Sequence, residues 1–416
     1  MPEEGLPTMH EQELIPHLFR TEFRKITAVL CKLFGIENVE VAEDIAGETF
    51  LSALETWPYK GIPENPVAWL YTVAKNKAKN LITRDHVFHD KITPNIISSS
   101  PLGHEIEIDL SAQNIADSQL QMLFAICHPS IPAEAQIGLA LRILCGFGID
   151  EIASAFLTNK ETINKRLFRA REKLRTEMVA IEFPPEKEIN SRLQPVLTTL
   201  YLLFNEGYYS ESQDTVLRND FCLEAMRMTH MLIDNEQTDR PDVNALLALM
   251  CFQSSRFEAR KNENGEMILY QDQDESLWNR ELITRGAYYL NQASRGGTVS
   301  KYHLEASIAY WYTIKEDIAE KWENILQLFN QLLMIQYSPI AALNRTYALA
   351  KVRGNEAAIA AAEKLGLTNN HFYFTLLGEL YKDIDNKKAR ENFLKALDIS
   401  KTQSDKQTIQ NKIDRL

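Results

Sequence analysis

The chain has 416 residues, of which 45% are hydrophobic and 25% charged, and its formal net charge is −12 at pH 7. These proportions are ordinary for a globular protein. The acidic balance excludes an indiscriminate nucleic-acid binder, because neutralising phosphates needs surplus lysine and arginine, so DNA contact must use local basic faces. No apolar run approaches the roughly 20 residues of a membrane helix, and the N-terminus lacks signal-peptide features, so we expect a cytoplasmic protein.

Apolar residues recur at three- and four-residue spacing along most of the chain, which predicts an all-α fold. Five scattered cysteines, none in a CxxC pair, are interpreted as buried reduced thiols rather than as a disulfide or zinc framework. Periodicity, proline and glycine divide the sequence into four segments. They are a first helical block at 10–85, a linker at 86–117, a second helical block at 118–181 and a helical extension at 188–416.

The first block contains three predicted helices, at 13–34, 41–56 and 66–84. A loop with prolines and a glycine separates the last two. The second helix is acidic and amphipathic, with Asp44 and Glu48 on one face and Ile45 and Phe50 pointing inward. The third is apolar on one side and carries lysine, asparagine and arginine on the other. Two helices of such different character can engage two different partners at once.

The second block contains the sharpest local signal, which is a short helix, a turn and a long basic helix between 148 and 175. Asp150 is the predicted cap of the short helix. Leu157, Thr158 and Asn159 form the turn, and Asn159 is the predicted cap of the next helix. A basic helix of about 16 residues is roughly 24 Å long, enough to lie in a DNA major groove.

The long helix has one apolar stripe and an opposite face rich in cations. The side chains predicted to reach base edges are Thr162, Asn164, Lys165, Arg166 and Arg169, beside Lys160. Those suited to phosphates are Arg171, Lys173 and Arg175. A short helix, a tight turn and a long basic helix favour DNA binding over a solvated helix in an ordinary hairpin.

The end of the extension repeats with a period of 34 residues, the tetratricopeptide period, in which each unit is one helical hairpin. The matching pairs are Leu343 and Leu377, Tyr347 and Tyr381, Ile359 and Phe393, and Ala362 and Ala396. We therefore predict a tetratricopeptide-like solenoid, whose concave face would take a protein or peptide ligand.

These segments together resemble the extracytoplasmic-function (ECF) group of bacterial sigma factors. Residues 42–50, AEDIAGETF, resemble region 2.2 of that family, and residues 65–82 resemble regions 2.3 and 2.4. Residues 133–175 resemble region 4, and the order of region 2, linker and region 4 matches as well. The extension is similar to that of one ECF subgroup, through stretches such as 201–209 and 338–345.

The resemblance implies a non-enzymatic protein without cofactor or metal, built from a region 2 bundle, a region 4 helix-turn-helix domain and the helical extension. Its partners would be promoter DNA and core RNA polymerase, through the β′ clamp helices and the β flap. The residues implied for polymerase binding are Asp44, Ile45, Glu48 and Phe50. The loop at 57–65 would receive a base flipped out of the minus-10 element. The residues implied for minus-10 recognition are Tyr59, Lys60, Trp69, Lys75, Asn76, Lys79 and Asn80. The residues implied for minus-35 recognition are Lys160, Thr162, Asn164, Lys165, Arg166, Arg169 and Arg171.

Two other classes of protein fit the same helices, a stand-alone helix-turn-helix regulator and a helical scaffold. Asp272, Asp274 and Glu275 would permit a metal site, but the sequence favours an acidic turn before a helix, because carboxylates stabilise helix N-termini. The extension is larger than the promoter-reading part, so we expect it to regulate the sigma core in cis.

Overall fold

The computed structural model describes most of the chain. The residues described are 9–87, 107–156, 158–209, 215–260, 268, 270–400 and 403–416. Within these ranges every regular element is a helix and no β-strand occurs, which confirms the predicted all-α class. The chain divides into two compact units, Met1–Thr238 and Asp239–Leu416.

Three long helices begin the first unit. They are α1 (Met9–Phe34), α2 (Val39–Lys60) and α3 (Pro66–Val87). Each buries one stripe of apolar residues, among them Ile26, Phe50 and Leu70. Burying such a side chain contributes about 1.5–3 kcal/mol, so packing rather than helix propensity holds the bundle together. Tyr71 of α3 also ties α3 to α1, because its hydroxyl donates a hydrogen bond to Glu22 at 2.5 Å.

Helix α2 runs one turn beyond its predicted end, so the predicted loop is shorter than expected. Pro58 lies inside the last turn, and the helix ends at Gly61, whose N–H donates to the carbonyl of Trp57 at 2.9 Å with a φ of +83°. A proline inside a helix leaves the carbonyl four residues earlier without its usual donor. That carbonyl belongs to Leu54, an exposed residue, so water can satisfy it.

Four helices follow the linker. They are α4 (Ala112–Ile126), α5 (Ala133–Leu139, continued as a π-helical turn, Ala140–Leu144), α6 (Ile149–Ala155) and α7 (Lys160–Thr176). Helix α4 begins earlier than predicted, within the last part of the predicted linker, because Ser111 caps it by accepting the N–H of Asn114 at 3.3 Å. Linker residues 88–106 lie outside the described residues. Asn159 caps α7 as predicted, accepting the N–H of Thr162 at 2.8 Å.

The predicted cap of α6 is wrong. The N-cap is Gly148, whose N–H donates to the carboxylate of Glu151 at 2.6 Å. Asp150 lies within the first helical turn, and its carboxylate pairs instead with Lys160 at the start of α7 at 2.6 Å. Helices α6 and α7 pack together, while Leu157 of the turn between them lies outside the described residues.

The first unit ends with α8 (Ile189–Tyr209) and α9 (Thr215–Ile233). Helix α8 packs on α5, where Thr199 donates to the side chain of Gln136 at 2.7 Å and both residues are buried. Arg192 of α8 donates to the carbonyl of Phe124 in α4 at 2.9 Å. A buried hydrogen-bonding group that loses its partner lowers the stability of the fold by about 1–3 kcal/mol. Helices α8 and α9 are therefore an integral part of the unit that contains α4–α7.

The second unit is also helical throughout its described residues. Its helices are α10 (Pro241–Ser254), α11 (Arg280–Ala293), α12 (Lys301–Trp311), α13 (Ala319–Ile335), α14 (Pro339–Arg353), α15 (Asn355–Leu365), α16 (His371–Tyr381), α17 (Asn386–Ile399) and α18 (Gln403–Asp414). Gly286 lets α11 approach α10 closely, because a Cβ there would lie 2.7 Å from the ring of Phe252. In either unit, no described helix combines the length and apolar character that crossing a bilayer requires.

The 34-residue period coincides with the helix pairs at the end of the chain. Leu343 of α14 and Leu377 of α16 are both buried, and α15 and α17 follow them in the two hairpins. Gly378 allows α16 to press against α17, since a Cβ there would lie 2.6 Å from the ring of Phe393. Each hairpin packs on the next, as stacked helical repeats do. Membership of the tetratricopeptide family stays a prediction.

The five cysteines are free and buried, as the sequence predicted. Burial disfavours the thiolate, which raises the pKa of Cys127 and of Cys251 to about 12. The buried thiols pack as small apolar side chains.

Candidate functional site

The outer face of α2 combines carboxylates with exposed leucines. Asp44 and Glu48 lie one turn apart on this face, and both are exposed. Leu51 continues the same face and Leu54 lies at its edge, with 52% and 53% of their surface exposed. An apolar patch rimmed by carboxylates suits a protein partner that offers basic and apolar side chains, whereas the carboxylates would repel DNA phosphates.

Ile45 and Phe50 do not belong to this face, contrary to the sequence-based assignment to polymerase binding. They are only 6% and 3% exposed, and the ring of Phe50 packs edge-on against Phe19 of α1 at 5.1 Å. A buried side chain offers no surface to a partner, so these two residues hold α2 in the bundle. The sequence could have indicated the exposed apolar patch, because Leu51 and Leu54 lie outside the inward-facing stripe of the helix, where no core residues can cover them.

The end of α2 and the start of α3 meet at two tryptophans. Trp57 is buried and Trp69 half-buried, and their ring centroids lie 5.4 Å apart in an edge-to-face arrangement. Tyr59 and Lys60 project away from this pair, and Tyr59 is 88% exposed. Of the predicted minus-10 residues at this junction, Trp69 therefore packs on Trp57, whereas Tyr59 and Lys60 form an exposed aromatic and cationic rim.

The remaining predicted minus-10 residues form one polar strip along α3. They are the exposed Asn76 and Asn80 and the half-buried Lys75 and Lys79. Beside the strip, Lys77 pairs with Glu48 of α2 at 3.0 Å, and both side chains stay partly exposed. An exposed pair of this kind contributes about 0–1 kcal/mol, so Glu48 remains able to exchange Lys77 for another partner.

Helix α7 buries one stripe and exposes the opposite side, as predicted. The buried residues are Ile163, Leu167, Ala170 and Leu174. The predicted base-reading residues that are exposed are Lys160, Thr162, Asn164, Lys165 and Arg169. Arg166 is half-buried, with its guanidinium 5.7 Å from the ring centroid of Phe156, so it also braces the contact with α6. With 17 residues, α7 is about 25 Å long.

The sequence predicted that Arg171 would contact a phosphate, but its side chain is already paired within the chain. Its side chain is 19% exposed and pairs with Glu40, near the start of α2, at 2.5 Å. A second ion pair joins Arg142, on the π-helical turn after α5, to Glu43 of α2 at 2.7 Å. Burial raises the pKa of the Glu43 carboxyl, against the opposing effect of Arg142. The basic helix thus lies against the acidic start of α2.

Known proteins match the N-terminal bundle and a later part of the chain. Residues 18–86 match the family model described as Sigma-70 region 2. The chain is 25% identical to the ECF RNA polymerase sigma-E factor of Haemophilus influenzae, over 31% of this chain and 70% of that protein. It is also 33% identical to the uncharacterized protein R00370 of Rhizobium meliloti, over 91% of this chain and 90% of that protein. The chain belongs to the same family as R00370, and it carries a Sigma-70 region 2 domain at its N-terminus and a long helical C-terminal part.

The C-terminal part of the chain matches a family model of its own. Residues 192–294 match the model described as Family of unknown function (DUF6596), and the match spans parts of both compact units. No solved structure matches the chain. Sigma factors as a family bind core RNA polymerase and promoter DNA and are not enzymes.

The sequence analysis missed Phe168, which is 59% exposed on the outer side of α7. Phe168 lies outside the buried stripe, on the face that carries the charged residues Lys165 and Glu172, and this position in the sequence could have indicated its exposure. Phenylalanine can contact the methyl group of thymine in the major groove, so Phe168 extends the candidate DNA surface beyond charged and amide groups.

The acidic stretch before α11 forms a turn. Asp274 accepts the N–H of Ser276 at 2.8 Å, and hydrogen bonds from Ser276 lower the pKa of its carboxyl. Among the residues that the structure describes, no three His, Cys, Asp or Glu side chains are grouped to hold a metal ion.

Proposed function

We propose that this sigma factor binds core RNA polymerase and directs promoter-specific initiation by recognising minus-10 and minus-35 elements. The observation that carries the proposal is the opposite chemistry of two helices in one compact unit. Helix α2 exposes carboxylates and leucines, whereas α7 exposes cations and amides. The first surface suits a basic protein partner and the second suits DNA.

Core polymerase would be held by the outer face of α2. Asp44 and Glu48 would pair with the basic clamp helices of the β′ subunit, and Leu51 and Leu54 would cover apolar side chains beside them. Apolar anchors at the centre of an interface carry more binding energy than charges at its rim, so the two leucines should dominate affinity. Contact with the β flap would come from the α4–α7 segment.

The minus-10 element would lie across the junction of α2 and α3. Trp57 and Trp69 would support a pocket for the flipped base, while Tyr59 and Lys60 at the rim would stack on and attract the single strand. Asn76, Lys75, Lys79 and Asn80 along α3 would follow the adjacent nucleotides. Flipping a base costs a few kcal/mol, which contacts of this kind offset.

The minus-35 element would be read by α7 in the major groove. Lys165 and Arg169 are exposed cations suited to guanine edges, and Thr162 and Asn164 are suited to neighbouring bases. Lys160 would contact the backbone at one end of the helix. Arg171 and Arg166 would join these contacts only after leaving the partners that hold them here.

Residues 239–416 are proposed to regulate this activity in cis, with a protein or peptide ligand on the helical hairpins. Their size and separate compactness support this role. A chain truncated near Phe183 would lack α8 and α9, although α8 packs on α4 and α5. The informative truncated chain therefore ends at Thr238, which keeps the first unit whole. Activity and promoter response identical to those of the full chain would contradict regulation.

Purified core polymerase separates the candidate functions. A sigma factor should form a 1:1 complex with core enzyme and start transcription at defined sites, which sequencing of the run-off products would map. A stand-alone regulator would bind a duplex operator without polymerase, and a helical scaffold would do neither. Failure of the full chain to bind core enzyme would overturn the proposed function.

A further inference from the structure

The junction of α13 and α14 in the second unit exposes a group of large apolar side chains. They are Met334, Ile335, Tyr337 and Ile340, and we call them the apolar turn. Met334 is 88% exposed and Tyr337 is 62% exposed. Single exposed apolar residues are common on protein surfaces, whereas a group of them within two helical turns of chain is typical of an interaction site.

The sequence period shows that a connection of this kind does not need apolar residues. Thr368 and Asn369 follow Met334 and Ile335 by 34 residues, and they lie between α15 and α16. Both are exposed polar residues, so the equivalent connection in the next hairpin is compatible with water. Joining two helices therefore does not explain the apolar turn, and a partner that covers its side chains does.

A guanidinium on α14 is held in a fixed orientation near the apolar turn. The Nε of Arg345 donates to the side-chain oxygen of Asn330 on α13 at 2.6 Å. Asn330 donates in turn to Gln327 at 3.3 Å, and Gln327 donates to Glu323 at 3.0 Å. This chain of hydrogen bonds orients the guanidinium, because each group polarises the next. Met334 follows Asn330 by four residues, so both lie on one face of α13.

The charge of Arg345 is not neutralised by a carboxylate. In the described ranges of the chain, Arg345 makes no ion pair, and its two terminal nitrogens are accessible to water. The equivalent residue 34 positions later, Glu379, pairs with Lys412 of α18, and Lys351 of α14 pairs with Asp317 at 3.0 Å. An oriented guanidinium with free N–H donors is matched to a carboxylate, which it can bind through two parallel hydrogen bonds.

We propose that the apolar turn and Arg345 form a docking surface for a segment of another protein in which an aspartate or glutamate stands beside bulky apolar side chains. The guanidinium selects the carboxylate, and the apolar turn covers the apolar neighbours. Methionine, tyrosine and arginine are enriched in protein interfaces, whereas nucleic acid offers phosphates and polar edges that would leave the apolar turn in water. This inference rests on the proposed ligand-binding role of residues 239–416 and names the surface and the chemistry of the ligand.

The test begins with selection of random peptides on the full chain. Peptides fused through their C-termini to a phage coat protein have no free terminal carboxylate, so only side-chain carboxylates are sampled. We expect the selected peptides to share an acidic residue flanked by leucine, phenylalanine or methionine. In a synthetic selected peptide, changing that acid to its amide should weaken binding by about 10- to 100-fold in fluorescence anisotropy, because charged hydrogen bonds are lost. Selection of no such peptide would overturn the proposal.

Variants of the chain identify the group that meets the peptide carboxylate. Arg345→Gln should weaken the acidic peptide by the same factor and should bind the acid and amide peptides equally. Asn330→Asp should also weaken the acidic peptide, because it sets a carboxylate of the chain against the guanidinium. Arg353→Gln is the matched control at an exposed arginine of the same helix, and it should leave both affinities unchanged. A preference for the acid that persists in Arg345→Gln would contradict the assigned pairing.

The apolar half of the surface is tested separately. Met334→Ser with Tyr337→Ser should weaken the selected peptide by about tenfold, and both changes lie at exposed positions, where substitutions barely alter stability. Ile384→Ser with Leu394→Ser, at exposed apolar residues of the α16–α17 hairpin, is the control and should bind as the parent does. Equal affinities in the two double variants would overturn the role of the apolar turn.

Two further measurements exclude other occupants. A short DNA duplex should not displace the peptide, and displacement would assign Arg345 to phosphate instead. In sedimentation equilibrium, a parent dimer that the Met334→Ser and Tyr337→Ser variant loses would assign the surface to a second copy of this chain and overturn the proposal. A peptide that needs Arg345 yet leaves initiation unchanged would contradict regulation by residues 239–416 and leave the docking surface in place, so the two failures are distinguishable.

Discussion

Helices α2 and α7 are both long surface helices with one buried stripe, yet they expose different chemistry. On α2, Leu51 and Leu54 remain exposed beside carboxylates, whereas every aliphatic residue among Ile163, Leu167 and Leu174 of α7 is buried. A protein interface has an apolar centre from which water is excluded. DNA offers mainly phosphates and polar base edges. Exposed aliphatic side chains therefore distinguish the helix proposed to bind a protein from the helix proposed to bind DNA more clearly than charge alone.

The largest expected effect comes from making the α2 patch polar. Leu51→Asp with Leu54→Asp should weaken binding to core polymerase by about 100-fold, because charges replace two apolar anchors. Duplex binding by α7 should not weaken. Titration of labelled core enzyme measures the first quantity. Leu394→Asp, at a leucine of α17 that is 48% exposed, is the control, and an equal loss of affinity there would remove the special role of the patch.

The reciprocal change on α7 should spare polymerase binding. Lys165→Ala with Arg169→Ala should lower initiation at a minus-35-dependent promoter by about 10- to 100-fold, since removing a side chain that reads a base costs about 1–3 kcal/mol. Affinity for core polymerase should stay within about twofold, because the changed residues lie outside the α2 face. Arg353→Ala with Lys364→Ala, two exposed cations of the second unit, is the control. Weakened core binding in the α7 variant would show that the two helices are not separate in function.

A smaller effect is expected from uncapping α7. Asn159→Ala should destabilise the first unit by about 1 kcal/mol, because the N–H of Thr162 loses the side-chain acceptor 2.8 Å away. Asn159→Asp keeps an acceptor beside the positive end of the helix and should retain stability. Urea unfolding of the three proteins measures the difference. Equal stability of the alanine and aspartate variants would show that the cap does not set the start of α7.

The smallest effect concerns pH and the contact between α2 and the α4–α7 segment. Burial raises the pKa of the folded-state Glu43 above 4.5, so the folded state holds its proton more tightly than the unfolded state does. The contribution of the Glu43 carboxyl to the free energy of unfolding is fully present below pH 4.5. It declines as the pH rises through the pKa that this carboxyl has in the folded state. Glu43→Gln cannot ionise, so it should remove this part of the pH dependence in urea unfolding. Parallel stability curves for parent and variant across that window would contradict it.

Much of the fold followed from periodicity, and the departures have local causes. The helices at 13–34, 41–56 and 66–84 were predicted within about one turn, and α2 continues through Pro58 until Gly61, with a φ of +83°, ends it. Asp150 failed as a cap because the helix begins at Ile149, which places Asp150 inside the first turn, and Glu151 accepts the N–H of the N-cap residue Gly148. The early start of α4 followed from Ser111, an ordinary capping residue inside the predicted linker.

The sequence by itself determined the helices, the buried stripes and the kinds of side chain left to face a partner, because these depend on neighbours within about one turn. The sequence already placed Ile45 and Phe50 on the inward side of α2, and the tertiary structure decided what covers them, since the ring of Phe50 meets Phe19 of α1. It also decided the partner of Arg171, because Glu40 lies 131 residues earlier in the chain. Contacts between distant segments carry no local periodicity, and folding alone brings those two charges together.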